Sequence, residues 1–148
     1  MAQVIRAPIP DERATESLAA RVAPCLRGGD VVELRGDLGA GKTTFVRYLF
    51  AALGGESDAI KSPTFSIIDV HELTNAGGHA RLFVHADLYR IDDRADVAAT
   101  GIGDYVEDLA CIVAVEWPEI GDAMWQPAHR LTFTGTGEER LVCWSQLD

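Results

Sequence analysis

The sequence predicts an α/β domain built around a phosphate-binding loop. Three observations carry that expectation. A β-branched run, Val-Val-Glu-Leu-Arg (31–35), leads directly into the glycine-punctuated stretch Gly36-Asp37-Leu38-Gly39-Ala40-Gly41-Lys42-Thr43. An amphipathic helical pattern follows at once, with Phe45, Leu49 and Leu53 on one face. Two later apolar runs each end on an acid, Asp87 and Glu116. A chain of 148 residues with 47% apolar content fits one domain with a sizeable core, residues 1–148.

The remaining elements follow in order. Asp11 can cap a first helix whose apolar side runs Ala14, Leu18, Val22 and Cys25 or Leu26; Arg-Gly-Gly-Asp (27–30) stops it. Residues 31–35 read as a buried strand, and Gly54-Gly55 ends the helix behind the loop. Residues 65–73 and 80–89 are strand-like and flank Thr-Asn-Ala-Gly-Gly-His, which predicts an antiparallel hairpin. Residues 92–109 predict one or two short helices broken near Gly101 and Gly103. The apolar run in 110–119 suits a central strand. Residues 129–135 and 140–146 predict a closing antiparallel hairpin across Thr-Gly-Glu-Glu. No repeat or linker marks a domain boundary.

The glycine stretch matches G-x-x-x-x-G-K-[ST] in the strand–loop–helix setting the motif requires. Gly39 and Gly41 let backbone N–H groups turn inward onto phosphate oxygens. The helix that follows presents its positive N-terminal end to the same anion. Lys42, one of only two lysines in the chain, reaches the β- and γ-phosphates, and the Thr43 hydroxyl is a ligand for Mg²⁺. The loop therefore predicts a nucleotide phosphate cradle.

Such a site also needs an acid near the metal, at the carboxyl end of a buried strand. Glu116 and Asp87 compete for that place. Glu116 is preferred, because Cys-Ile-Val-Ala-Val is the purer buried run. Lys61-Ser-Pro-Thr-Phe-Ser66 lies where switch segments sense a γ-phosphate, and Thr64 is the candidate sensor; an ordinary loop fits the same residues. Trp117 can line the nucleotide pocket or simply pack. His85 reads as a hydrogen-bonded structural histidine, and His71, His79 and His129 are too scattered for a metal site.

Charge restricts the partners. Thirteen basic residues among twenty-three acidic ones give a net charge of −10, which argues against strong direct binding of tRNA or DNA and favours a protein partner. The three cysteines lack metal-type spacing and read as buried, reduced thiols. No run approaches the roughly 18 apolar residues of a membrane span, and the N-terminus lacks a signal-peptide core, so cytoplasm is the expected compartment. A small-molecule kinase is the main alternative. It would want phosphate-clamping arginines, yet Arg81, Arg90 and Arg94 are spread out, with Arg90 the nearest candidate in cis. A GTPase would want N/T-K-x-D, and neither lysine has Asp two residues later.

Gly-Asp-Leu-Gly-Ala-Gly-Lys-Thr-Thr, Lys-Ser-Pro-Thr-Phe, His-Ala-Asp-Leu-Tyr-Arg-Ile and Val-Glu-Trp-Pro-Glu, in this order and spacing, resemble the TsaE (YjeE) family over roughly residues 9 to 144. That resemblance implies a P-loop NTPase core: an α/β fold with a mixed β-sheet flanked by helices and an antiparallel C-terminal hairpin. It implies a Mg-dependent ATPase of tRNA threonylcarbamoyladenosine synthesis, slow alone and stimulated by the TsaB–TsaD complex, which would handle the tRNA. Carried over by position, Gly39, Ala40, Gly41, Lys42, Thr43 and Thr44 would hold the phosphates of ATP. Thr43 and Glu116 would hold Mg²⁺, Thr64 would sit in a switch segment, and Asp87 would be an acid near the γ-phosphate. Trp117 would border the nucleotide, with Glu12 or Thr15 contacting it from the N-terminal segment. The C-terminal hairpin is the least family-typical part.

Overall fold

The computed structural model describes residues 3–56, 59–60, 66–73 and 80–147. A seven-stranded sheet runs through it in the order β1-β7-β6-β2-β5-β4-β3. The strands are β1 (Gln3–Pro8), β2 (Val31–Gly36), β3 (Ile68–Glu72), β4 (Leu82–Asp87), β5 (Cys111–Glu116), β6 (His129–Thr134) and β7 (Leu141–Gln146). Four adjacent strands, β6, β2, β5 and β4, are mutually parallel, and β1–β7, β6–β7 and β3–β4 are antiparallel. The sheet is thus mixed, and the C-terminal hairpin is β6–β7.

Side chains that alternate along the interior strands divide the core in two. Val32, Leu34, Phe83, Ile112, Ala114, Leu131 and Phe133 face helices α1 (Glu12–Val22) and α2 (Lys42–Ala52). Val31, Val84, Ala86, Val113 and Val115 face α3 (Arg94–Ala99) and α4 (Ile102–Val106). Burial on both faces explains why β5 reads as an unbroken apolar run. Its one polar residue, Glu116, comes at the strand's end.

Local signals bound the helices, although α1 ends at Val22, short of the stop expected at residues 27–30, and Gly103 lies inside α4. Asp11 caps α1 by accepting a hydrogen bond from Ala14 N at 2.9 Å, and Leu18, Ala19 and Val22 are buried along it. Pro24 then tightens the chain into a 3₁₀ turn over Ala23–Cys25, before the glycines. Gly101 breaks α3 from α4 at φ 84°.

Beneath the glycine loop, the far face of β2 carries a buried acid. Glu33 accepts hydrogen bonds from Trp125 Nε1 (2.8 Å), Arg130 Nε (3.0 Å) and Arg35 Nη2 (3.3 Å). Arg35 also reaches Asp122 at 3.0 Å, which ties the strand leading into the loop to the chain beyond β5.

Two sequence expectations need correction. Strand β1 has no counterpart in the sequence reading: it is a short, largely exposed edge strand that exists through its pairing with β7. Of the three cysteines only Cys111 is buried; Cys25 and Cys143 are partly exposed, and all three are free thiols. The segment 61–65, with Thr64, and the turn 74–79, with His79, lie outside the described residues. No described helix is long and apolar enough to cross a membrane.

Candidate functional site

The site forms where β2, β4 and β5 end beside the N-terminus of α2. Gly36 closes β2 at φ 146°, and a Cβ there would stand 2.7 Å from the carbonyl oxygen of Phe133. Only glycine permits that approach of loop to β6. Gly39 and Gly41 take φ 79° and 105°, with nothing within 4 Å of a Cβ built on either. Their left-handed backbone leaves open space beside the loop. The exposed Asp37 and Leu38 form its outer rim, and Ala40 N donates to Asp37 O at 3.1 Å to close the turn. Thr44 follows in the first turn of α2.

Lys42 is buried at the floor of this loop, 4% exposed. Its ammonium donates to the Gly36 carbonyl and lies 3.6 Å from the centroid of the Trp117 ring. Burial pulls its pKa below the ordinary lysine value, against the pull of Glu116 and Asp87, which favour the charged form. Trp117 reaches the lysine because its backbone is left-handed, at φ 56° and ψ 53°. For a bulky non-glycine residue that conformation costs about 1–3 kcal/mol. Tyr89 packs on the same ring, 5.0 Å between centroids. A cleft of about 360 Å³ opens among Leu88, Tyr89, Ile91, Trp117, Glu119 and Ile120.

Glu116 is 3% exposed and is the centre of a short polar cluster. The Thr43 hydroxyl lies 2.9 Å from both of its carboxylate oxygens. His85 Nε2 lies 2.5 Å from Oε2. Asp87 pairs with Glu116 in the β4–β5 register, but its Oδ1 accepts from Tyr89 N at 3.1 Å. Burial raises the Asp87 pKa above its ordinary value of 3.8, and the negative Glu116 adds to that rise. The two acids are therefore neighbours in different settings. Hydroxyl and carboxylate oxygens at Thr43 and Glu116 are the donor type that suits a hard divalent cation such as Mg²⁺. Among the described residues no group of three or more His, Cys, Asp or Glu could by itself cage a metal, so such a cation would share its shell with phosphate oxygens.

Sequence-predicted site residues thus come together in Lys42, Thr43, Asp87, Glu116 and Trp117. Glu12 and Thr15 lie on α1. Glu12 Oε2 accepts from the Tyr48 hydroxyl at 2.8 Å, and the buried Thr15 hydroxyl donates to Asp11 O at 3.4 Å. Sequence reasoning left out Tyr89 and the contact of His85 with Glu116. It also left out Arg140, whose Nη2 donates to the Gly39 carbonyl at 3.3 Å from the C-terminal hairpin. A same-face spacing of two between His85 and Asp87 hints at the first histidine's place. Nothing local signals Arg140, which lies 101 residues from its partner.

Fold and loop together define a P-loop NTPase-like protein. Residues 9–142 match the family model described as threonylcarbamoyl adenosine biosynthesis protein TsaE. A relative from Aquifex aeolicus (strain VF5), tRNA threonylcarbamoyladenosine biosynthesis protein TsaE, is 42% identical over 110 residues, 73% of this chain and 72% of that protein. A relative of the same name from Streptomyces coelicolor is 35% identical over 156 aligned positions, covering 88% of this chain and 94% of that one. The crystal structure of Bacillus subtilis YdiB superposes with a TM-score of 0.69 at 25% identity, covering 100% of this chain and 88% of that chain. The chain belongs to the TsaE family, proteins of tRNA threonylcarbamoyladenosine biosynthesis.

Proposed function

We propose that the chain is a single-domain ATPase that binds ATP with Mg²⁺ at the glycine loop and drives threonylcarbamoyladenosine synthesis through the TsaB–TsaD complex. The observation that carries the reading is the Thr43–Glu116 contact behind an open, left-handed glycine loop: a hydroxyl and a carboxylate 2.9 Å apart, with the buried Lys42 ammonium in their electrostatic range. In this reading the backbone N–H groups from Gly39 to Thr44 cradle the phosphates. Lys42 leaves the Trp117 ring to meet the β- and γ-phosphates. Thr43 and Glu116 hold Mg²⁺, which neutralises charge on the transferring phosphoryl group when bound. Asp87 stands by the γ-phosphate, Thr64 senses it from its segment, and Glu12, Thr15 and Trp117 border the nucleoside.

Phosphoryl transfer is accelerated largely by positioned positive charge, and an arginine supplied in trans is worth roughly 10³–10⁵ in rate. Within the described residues, Arg140 is occupied at the Gly39 carbonyl on the loop rather than at the Glu116 cluster. In this reading turnover by the isolated chain is slow and rises with the TsaB–TsaD pair, with tRNA reached only through that pair. The test measures phosphate release and complex formation with purified partners under ATP, ADP and no nucleotide. Stimulation by the partners, and tighter association under ATP, are expected. Rapid turnover alone, with equal association in all three conditions, would overturn the proposal in favour of a self-sufficient enzyme such as a small-molecule kinase.

A further inference from the structure

Most of the polar cluster has a role in the reading above; His85 does not. It is 1% exposed, sits in the middle of an interior strand, and puts Nε2 2.5 Å from Glu116 Oε2. Its other ring nitrogen, Nδ1, is buried with no hydrogen-bond partner among the described residues. An imidazole kept only to fill space would be replaceable by an apolar ring at no polar cost. Here a buried nitrogen goes unpaired, a penalty of about 1–3 kcal/mol, while Nε2 makes one short contact to a carboxylate. The contact with Glu116 therefore accounts for the ring's presence.

The sheet builds this contact. Residues 83, 85 and 87 of β4 and 112, 114 and 116 of β5 share the face under α2. Directly opposite His85 stands Ala114, whose single methyl leaves the imidazole room to lean diagonally onto Glu116. A buried carboxylate must be supplied with donors to stay ionised. Among the described residues Glu116 has two: the Thr43 hydroxyl and His85 Nε2. Thr43 carries one hydrogen to share between two oxygens, and its own oxygen is the atom a cation would take. Once Thr43 turns to a cation, His85 is the donor that still fixes the plane of the carboxylate.

We propose that His85 is a positioning residue for Glu116: its Nε2–H orients the carboxylate toward the cation site beside Thr43. The proposal rests on the reading of Glu116 as the metal-side acid. Its signature is a loss of metal affinity without a loss of metal-free nucleotide affinity. Partners that orient a ligating carboxylate are worth about 10–100-fold in metal affinity.

The experiment uses ADP in EDTA for nucleotide alone, and Mn²⁺ as a paramagnetic probe titrated at saturating ADP and followed by electron paramagnetic resonance. His85→Leu should bind ADP in EDTA as the wild type does and bind Mn²⁺ about 10-fold more weakly. His85→Gln, whose amide N–H reaches the Nε2 position, should recover most of that loss. His85→Asn, whose amide reaches only as far as Nδ1, should not. The Gln and Asn pair carries the test even if the Leu variant fails to fold. Mn²⁺ affinity unchanged in His85→Asn, or equal losses in the Gln and Asn variants, would overturn the proposal. Glu116→Gln is the control. If it leaves Mn²⁺ affinity intact, the metal-side reading falls and takes the proposal with it; if it weakens Mn²⁺ while the His85 variants do not, the proposal falls alone.

Discussion

The Lys42 ammonium rests 3.6 Å from the centre of the Trp117 ring, so the lysine of the phosphate loop is held between an aromatic face and the Gly36 carbonyl. The aromatic contact is worth about 0.5–2 kcal/mol and must be given up when the ammonium turns to phosphate. Trp117 should therefore report nucleotide. Trp125 and Trp144 are buried and hydrogen-bonded to Glu33 and His129, whereas Trp117 stacks on the Lys42 ammonium. ADP binding should change tryptophan emission, and Trp117→Phe should remove the change. A full signal in that variant would assign it to Trp125 or Trp144.

The glycines of the loop should separate stability from binding. Gly36→Ala places a methyl 2.7 Å from a backbone oxygen of β6 and should destabilise the fold by about 1–3 kcal/mol, read as a lowered denaturation midpoint. Gly41→Ala meets no neighbour within 4 Å but sits at φ 105° and adds a methyl to the open space beside the loop. It should cost about 1–2 kcal/mol in strain and weaken ADP binding at least tenfold. Equal ADP affinity in Gly41→Ala and wild type would show that this space does not receive phosphate.

Asp87 should make the nucleotide-free protein less stable as pH rises. Burial and the neighbouring Glu116 raise its folded pKa above 3.8, so the folded state holds the proton more tightly than the unfolded state does. The destabilisation is absent below the unfolded value, sets in as pH climbs through the raised folded value, and persists above it. Asp87→Asn removes it and can keep the hydrogen bond from Tyr89 N. The variant should melt higher than wild type near pH 7, with the gap closing toward pH 3.8. A gap that does not change with pH would remove the electrostatic explanation.

What the sequence made legible follows from where its signals are local. The glycine loop, the strand before it and the helix after it lie within one short stretch, and each residue type there has a backbone reason. The place of Glu116 at the end of β5 is legible as the last residue of a run buried on both faces, the pattern of an interior parallel strand. Strand β1 escaped because an edge strand is stabilised by its partner, and the partner lies at the other end of the chain. The contacts of Arg140 with Gly39, and of His85 with Glu116, depend on which strands become neighbours. No spacing in the sequence records that.

The two strand-end acids should divide their work. Glu116 is fully enclosed, shares the Thr43 hydroxyl and sits opposite Asp87 across the β4–β5 register. Asp87 is only half-buried and is turned toward the backbone of Tyr89. In the proposed reading, the carboxylate bonded to the loop threonine would hold a cation, and the one beside it would meet the oxygens or water at the γ-phosphate. Glu116→Gln should thus raise the Mg²⁺ concentration needed for half-maximal ATP turnover by about 10-fold or more while leaving ADP affinity in EDTA unchanged. Asp87→Asn should leave the Mg²⁺ requirement within about twofold of wild type and lower maximal turnover by about 10²–10⁴-fold, the usual range for losing a positioned acid or base. Magnesium titrations of both variants, run with the TsaB–TsaD pair present so that turnover is measurable, distinguish the roles. If Asp87→Asn shifts the Mg²⁺ midpoint and Glu116→Gln does not, the assignments are reversed, and the hydroxyl contact of Thr43 marks a resting arrangement rather than the metal side of the site.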